Sequence, residues 1–341
     1  MNRKIIYALL LLCVSGVGMT ALVSWNTKDP RPSAEAIRTA VTKSFSLLQT
    51  SGVKFIMQGR CASCHHNTLT SMIAEKMRAK GLGEVDTTAR MRTMAMSNGL
   101  HFIGNPNLNN QFIQAKFITP YILLGLAAEK YPADFNTDVS VAYLMSQQLT
   151  DGSFKAEYMR PPLECGDVHL TAFAIRAIQL YASPAQAAQT KKMVQLTRIW
   201  LEKQTPAMQQ ELAMQLLGLA WSGSDAAAKK KVADRLYAMQ NSDGGWSQLP
   251  TLKSDAYATG QALYALAESS QILEHDADYQ RGIAYLLKTQ ESSGAWIVMT
   301  RSNPIQPYLN ADFPPYDENQ FISAAASNWA TLALMDALPA K

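Results

Sequence analysis

One pattern, repeated three times, constrains the fold of this chain more than any other feature. It occurs in "YLMSQQLTDGSF" (143–154), "LYAMQNSDGGW" (236–246) and "RGIAYLLKTQESSGAW" (281–296). Each copy is a helical run with an aromatic near its end, then a Gln, a polar turn containing Gly, and a Trp or Phe. Gly and Asp end the helix, and the Gln is placed to hydrogen-bond the free backbone of the next element. The segment after the turn repeats as well. "GDVHLTAFAIRAIQLY" and "SDAYATGQALYALAES" set Asp167 and Asp255 four residues ahead of Thr171 and Thr259, and "ISAAASNWATLALMDAL" has Ser323 and Ser327 at those places. Small and apolar residues then recur at helical spacing. Asp or Ser at such a start reads first as an N-cap, ahead of a catalytic role.

A weaker copy, "IWLEKQTPAMQQELAMQLLGLAW", has Gln204 at its turn, so the motif Gln residues are 148, 204, 240 and 290. Their spacing suits pairs of helices repeated along the chain. Extended backward, the template takes in "VKFIMQGRCASCHHNTLTSMIAEKMRAKG", with Gln58 as the motif Gln. Six helical hairpins result, near 37–80, 86–130, 137–182, 188–222, 229–270 and 277–338, and strand signals are nearly absent. The expected fold is all-α, a single α/α toroid over 30–341, because closing a ring of hairpins removes the bare ends that an open stack must cap.

The Gln-turn-Gly-x-Trp copies resemble the "QW" motifs of the squalene–hopene cyclase and prenyltransferase superfamily, well over 140–338 and by periodicity alone before that. The resemblance implies the toroid and a central cavity for an apolar small molecule. It carries no catalytic residues over, since neither the Asp-x-Asp-Asp acid nor the Asp-Asp-x-x-Asp magnesium motif occurs here. Glu164, Asp167 and Asp255 are acid candidates that nothing raises above caps and surface groups.

The first 25 residues, a short basic start (Arg3, Lys4) and an apolar run, read as a signal peptide or an uncleaved membrane anchor. The body is then expected to be exported, periplasmic or held at the outer face of the inner membrane, with membrane contact only through that segment. The formal charge of +4 falls to about +2 without it, which gives no basic groove for nucleic acid. Export exposes Cys61, Cys64 and Cys165 to an oxidising compartment.

Cys61, Cys64 and His65 stand in the order Cys-x-x-Cys-His, the spacing of c-type haem attachment. The first expectation is therefore haem c. Cys61 and Cys64 would form the thioethers, His65 would be the proximal iron ligand, and His169 or His101 the second ligand. Met91, Met94 and Met96 are further candidates, read first as helix-face packing. The protein would then transfer electrons with a redox partner protein, or act on a small molecule through iron. Zinc held by Cys61, Cys64, Cys165 and His169 is the rival cofactor, and a Cys61–Cys64 disulfide a third reading. Without haem, the alternatives are a terpenoid cyclase or prenyltransferase-like enzyme and a non-catalytic ligand-binding toroid. "RPPLECGD" (160–167), with Arg160, reads first as a structural loop lock. The long loop 303–321 is a candidate lid.

Overall fold

The computed structural model describes residues 31–59, 62–82, 86–103, 115–157, 160–163, 166–272, 276–302 and 311–339. The expected signal or anchor over 1–25 lies outside them. No described helix is long and apolar enough to cross a membrane.

Twelve α-helices carry the described chain in six consecutive pairs: α1 (Ala34–Gly59) with α2 (Leu69–Ala79), α3 (Ala89–Ile103) with α4 (Ala115–Ala128), α5 (Phe135–Gln147) with α6 (Gly166–Tyr181), α7 (Ala187–Lys203) with α8 (Gln209–Trp221), α9 (Ala226–Tyr237) with α10 (Ala256–Glu268), and α11 (Asp276–Thr289) with α12 (Gln320–Ala337). The described residues form no strand, and isolated bridges at Gln148–Phe154 and Trp246–Asp255 only pin turns. The second helix of each pair packs beside the second helix of the next, and α12 returns to α2. That closes an inner ring, with the first helices outside it: an all-α, α/α toroid.

The sequence separates the two layers. Inner α10 and α12 are buried on nearly every face, whereas outer α7 and α9 bury only a stripe; helices apolar all round belong inside. Ala and Gly let inner backbones approach closely. A Cβ on Gly260 of α10 would lie 2.5 Å from Ala330 N of α12.

The repeated motif ties the layers together. Gln290 Nε2 donates to Gly294 O across its own turn (3.1 Å) and to Ala40 O of α1 (2.9 Å), joining the last hairpin to the first. Gln240 does the same with Gly244 O and with Asp278 O of α11, and Gln148 with Gly152 O and with Met193 O of α7. The aromatic after the turn is fixed from the inner helix. Phe154 N, Trp246 N and Trp296 N donate to Thr171, Thr259 and Ser327 at 2.9–3.0 Å.

Two expectations fail at this level. Gln204 reaches only Trp200 O of its own helix. Gln58 is exposed, because no Gly turn follows it to fold back upon.

Candidate functional site

The candidate site is the inner wall of the ring, and it begins where the first inner helix starts. Cys64–Thr68 forms a π-helical turn ahead of α2. Ser63 Oγ accepts from His65 N (3.2 Å) and His66 N (3.3 Å), and Ser63 N donates to Asn67 Oδ1 (2.8 Å). Asn328 of α12 holds the widened turn by donating to His65 O (2.6 Å). Such insertions re-aim side chains and recur at functional sites. Here two adjacent histidines are sent in different directions. His66 stacks on Phe55 (5.1 Å between centroids) and meets Phe313 and Phe321 edge-on. His65 instead meets Tyr121 of α4 edge-on at 5.8 Å.

Tyr121 bridges to a second buried histidine. Its Oη lies 3.0 Å from His169 Nε2 of α6, and Phe117 and Phe173 frame the His169 ring at 5.7 and 4.9 Å. No protein atom pairs with either ring nitrogen of His65 or with His169 Nδ1. Burial keeps all three histidines neutral by depressing their pKa values, those of His66 and His169 to about 3. For His65 burial acts first, and positive charge on Arg160, His66 and His169 adds to it.

Across the ring, Tyr257 of α10 donates from its hydroxyl to Pro162 O (2.7 Å) and receives Gln210 Nε2 of α8 (3.2 Å). One turn further, Gln261 is wholly buried, and neither its Nε2 nor its Oε1 has a protein partner. Helical register places these groups on one surface. Phe117, Tyr121 and Leu124 lie at i, i+4 and i+7 on α4, as do His169, Phe173 and Arg176 on α6, and Tyr257, Gln261 and Tyr264 on α10. The last member of each triple lines a pocket of about 330 Å³ at the C-terminal mouth of the inner helices, so the earlier members face the same axis. Met72, Glu75, Lys76, Trp221 and Glu268 also line that mouth. A larger groove over α1 lies outside the ring and is lined by polar surface side chains.

The charges at the mouth are largely committed. Lys76 is held by Glu268 (2.8 Å) and Asp336 (2.6 Å) and lies over the Tyr264 ring, while Arg176 stacks on Trp221 at 5.8 Å. Arg160 stands in the loop ahead of α6, close enough for its charge to act on His65.

The haem reading is overturned. His65, expected as proximal ligand, is 6% exposed and packs edge-on against Tyr121 inside the helix ring. Of the expected second ligands, His169 is buried and bonded to Tyr121, and His101 is exposed at the end of α3. Cys64 is half-buried against the core; Cys61 and Cys165 lie outside the described residues. No three His, Cys, Asp or Glu side chains among the described residues converge as a metal site, so zinc falls with haem. Iron-based redox chemistry and a redox partner go with them.

The other candidates take plainer places. Met96 is core, beneath Thr68, while Met91 and Met94 are exposed. Asp255 caps α10 through Ala258 N (2.9 Å), but Asp167 instead ties the preceding loop through Ala156 N (2.9 Å). Glu164 and the lid segment 303–310 lie outside the described residues, while Phe313 packs on His66. No motif marks Tyr121, Gln261 or the Arg176–Trp221 stack in the sequence; inward register on the inner helices is the signal that holds them.

No protein-family profile matches the chain. Drimenyl diphosphate synthase of Streptomyces showdoensis is 31% identical over 113 residues, which are 32% of this chain and span only 20% of that protein. The type II terpene cyclase MstE of Scytonema superposes with a TM-score of 0.59 at 13% identity, covering 91% of this chain and all of that one. An Arg-to-Ala variant of MstE in complex with its substrate, geranylgeranyl dihydroxybenzoate, superposes equally well at 14% identity, covering 90% and 99%. The likeness to MstE is one of fold. Together these comparisons show the terpene cyclase architecture.

Proposed function

We propose that this toroid is a terpene-cyclase-like enzyme that takes an apolar, isoprenoid-type substrate along the inner wall of its ring. The observation that carries the reading is the composition of that wall. Aromatic faces (Phe117, Tyr121, Phe173, Tyr257) alternate with buried polar groups that have no protein partner (His65, His169 Nδ1, Gln261). An apolar chain satisfies the first set. Aromatic quadrupoles also stabilise positive charge that develops on a folding isoprenoid. A neutral imidazole can accept the proton that such a cation loses when a double bond re-forms. His65, with both nitrogens open, is the residue assigned to that role. The cyclases that share this fold support the reading through their architecture.

The test is incubation of the purified chain with C15 and C20 prenyl substrates and mass-spectrometric analysis of the products. The reading expects products isomeric with the substrate but with fewer double bonds, and loss of turnover in His65→Phe. Recovery of unchanged substrate, with no binding, would contradict it. The apolar run over residues 5–25 adds an export signal or anchor to the proposal. Fractionation of cells expressing the full chain, with the N-terminus of the product sequenced, tests it; cytosolic protein with an intact N-terminus would refute export.

A further inference from the structure

We infer that the ligand of the ring interior carries a neutral hydroxyl or carbonyl head group, not a diphosphate, on its isoprenoid chain. The inference rests on the reading of the ring as an isoprenoid site and adds the substrate class. Its basis is the uncommitted polar atoms of the wall: both ring nitrogens of His65 on the turn before α2, His169 Nδ1 on α6, and Nε2 and Oε1 of Gln261 on α10. Two inner helices and the turn that opens a third supply them to one axis. Leaving such atoms bare is costly, so they call for polar partners. Gln261 offers one donor group and one acceptor, the neutral His65 ring offers one of each between its two nitrogens, and His169 offers Nδ1 in the role that its bond to Tyr121 leaves. A hydroxyl, which both donates and accepts, meets that set wherever it sits.

A diphosphate does not suit the same wall. It would bring concentrated negative charge into a buried space, which is tolerable only beside cations. The imidazoles are held neutral by burial. Lys76 is neutralised by Glu268 and Asp336, Arg176 is stacked on Trp221, and Glu75 and Glu268 line the same mouth. The carboxylates there oppose an anion, and Arg160, whose charge reaches His65, is a single guanidinium against the two or more negative charges of a diphosphate.

The experiment is calorimetric titration of the full chain with three C20 probes: geranylgeraniol, geranylgeranyl diphosphate, and the corresponding hydrocarbon without a head group. The expected result is at least tenfold tighter binding of the alcohol than of the diphosphate. Gln261→Leu should weaken the alcohol about tenfold and leave the hydrocarbon unchanged. It should not lower the melting temperature of the ligand-free protein, because it removes atoms that have no protein partner. Binding of the diphosphate as tight as the alcohol, or a Gln261→Leu variant that binds the alcohol normally or melts earlier, would overturn the inference while leaving an isoprenoid site in place. Failure of all three probes to bind would instead remove the reading of the ring on which it rests.

Discussion

At the scale of single residues, Gln290 does the work of a cross-brace. Its amide bonds Gly294 O and Ala40 O together, so Gln290→Ala loses two hydrogen bonds and leaves carbonyls short of a donor. A loss of about 1–3 kcal/mol is expected, read by urea denaturation. Gln204→Ala, which gives up only a bond within its own helix, should cost less than half as much. Equal losses would mean that the bond to α1 contributes nothing. Asp255 makes a second prediction. Burial raises its pKa to about 6 against hydrogen bonds from Ala258 N and Gln248 that lower it. The folded protein therefore binds this proton more tightly than the unfolded chain, and the share of stability that Asp255 contributes is lost as pH rises from about 4 to 6, against the rise that the buried histidines give over the same range. Asp255→Asn keeps the cap and removes that share, so the stability of the variant should climb more steeply with pH between 4 and 6 than that of the parent; parallel profiles would contradict the assignment. The motif Gln residues were legible because Gly and an aromatic follow at fixed offsets. Gln58 misleads because its helix period looks right while its turn lacks the glycine that makes the bond.

At the scale of elements, the inner helices are held by close backbone contact. A Cβ on Gly260 would strike Ala330 N at 2.5 Å and Trp329 C at 2.6 Å, atoms that cannot rotate away. Gly260→Ala should destabilise by about 1–3 kcal/mol through overpacking of α10 against α12. Gly223 has φ +73° with open space around its Cβ position, so Gly223→Ala should cost only about 1 kcal/mol of backbone strain. Thermal melts of the two variants distinguish packing from conformation, and equal shifts would argue against the close approach. The π-helical turn over Cys64–Thr68 was not legible. Cys-x-x-Cys-His states a spacing, and whether His65 faces a cofactor or the ring axis depends on Asn328, 263 residues away in sequence, which holds the turn. The helix pairs were legible because each apolar run ends at its own Gly, Pro or polar turn, a local signal needing no partner.

At the scale of the whole molecule, closure of the ring buries histidines that the sequence shows only as letters. Their folded pKa values lie below the ordinary value of 6.5. The native state thus binds fewer protons than the unfolded chain below pH 6.5. The share of stability that His66 and His169 contribute should be complete above that pH and be lost on acidification toward 3, by about 1.4 kcal/mol per pH unit for each of the two. His66→Phe, which keeps an aromatic against Phe55, should flatten that fall by about one histidine's share; an unaltered acid profile would show that His66 is not held neutral. The central claim, an isoprenoid site along the ring axis, is tested most directly by photocrosslinking. A C20 prenyl alcohol bearing a diazirine would be irradiated with the protein, and the labelled peptides sequenced. Labels on the inward faces of α2, α4, α6 and α10, displaced by excess geranylgeraniol and reduced in Gln261→Leu, are the predicted result. Labels confined to the outer helices, or not displaced by competitor, would contradict the account.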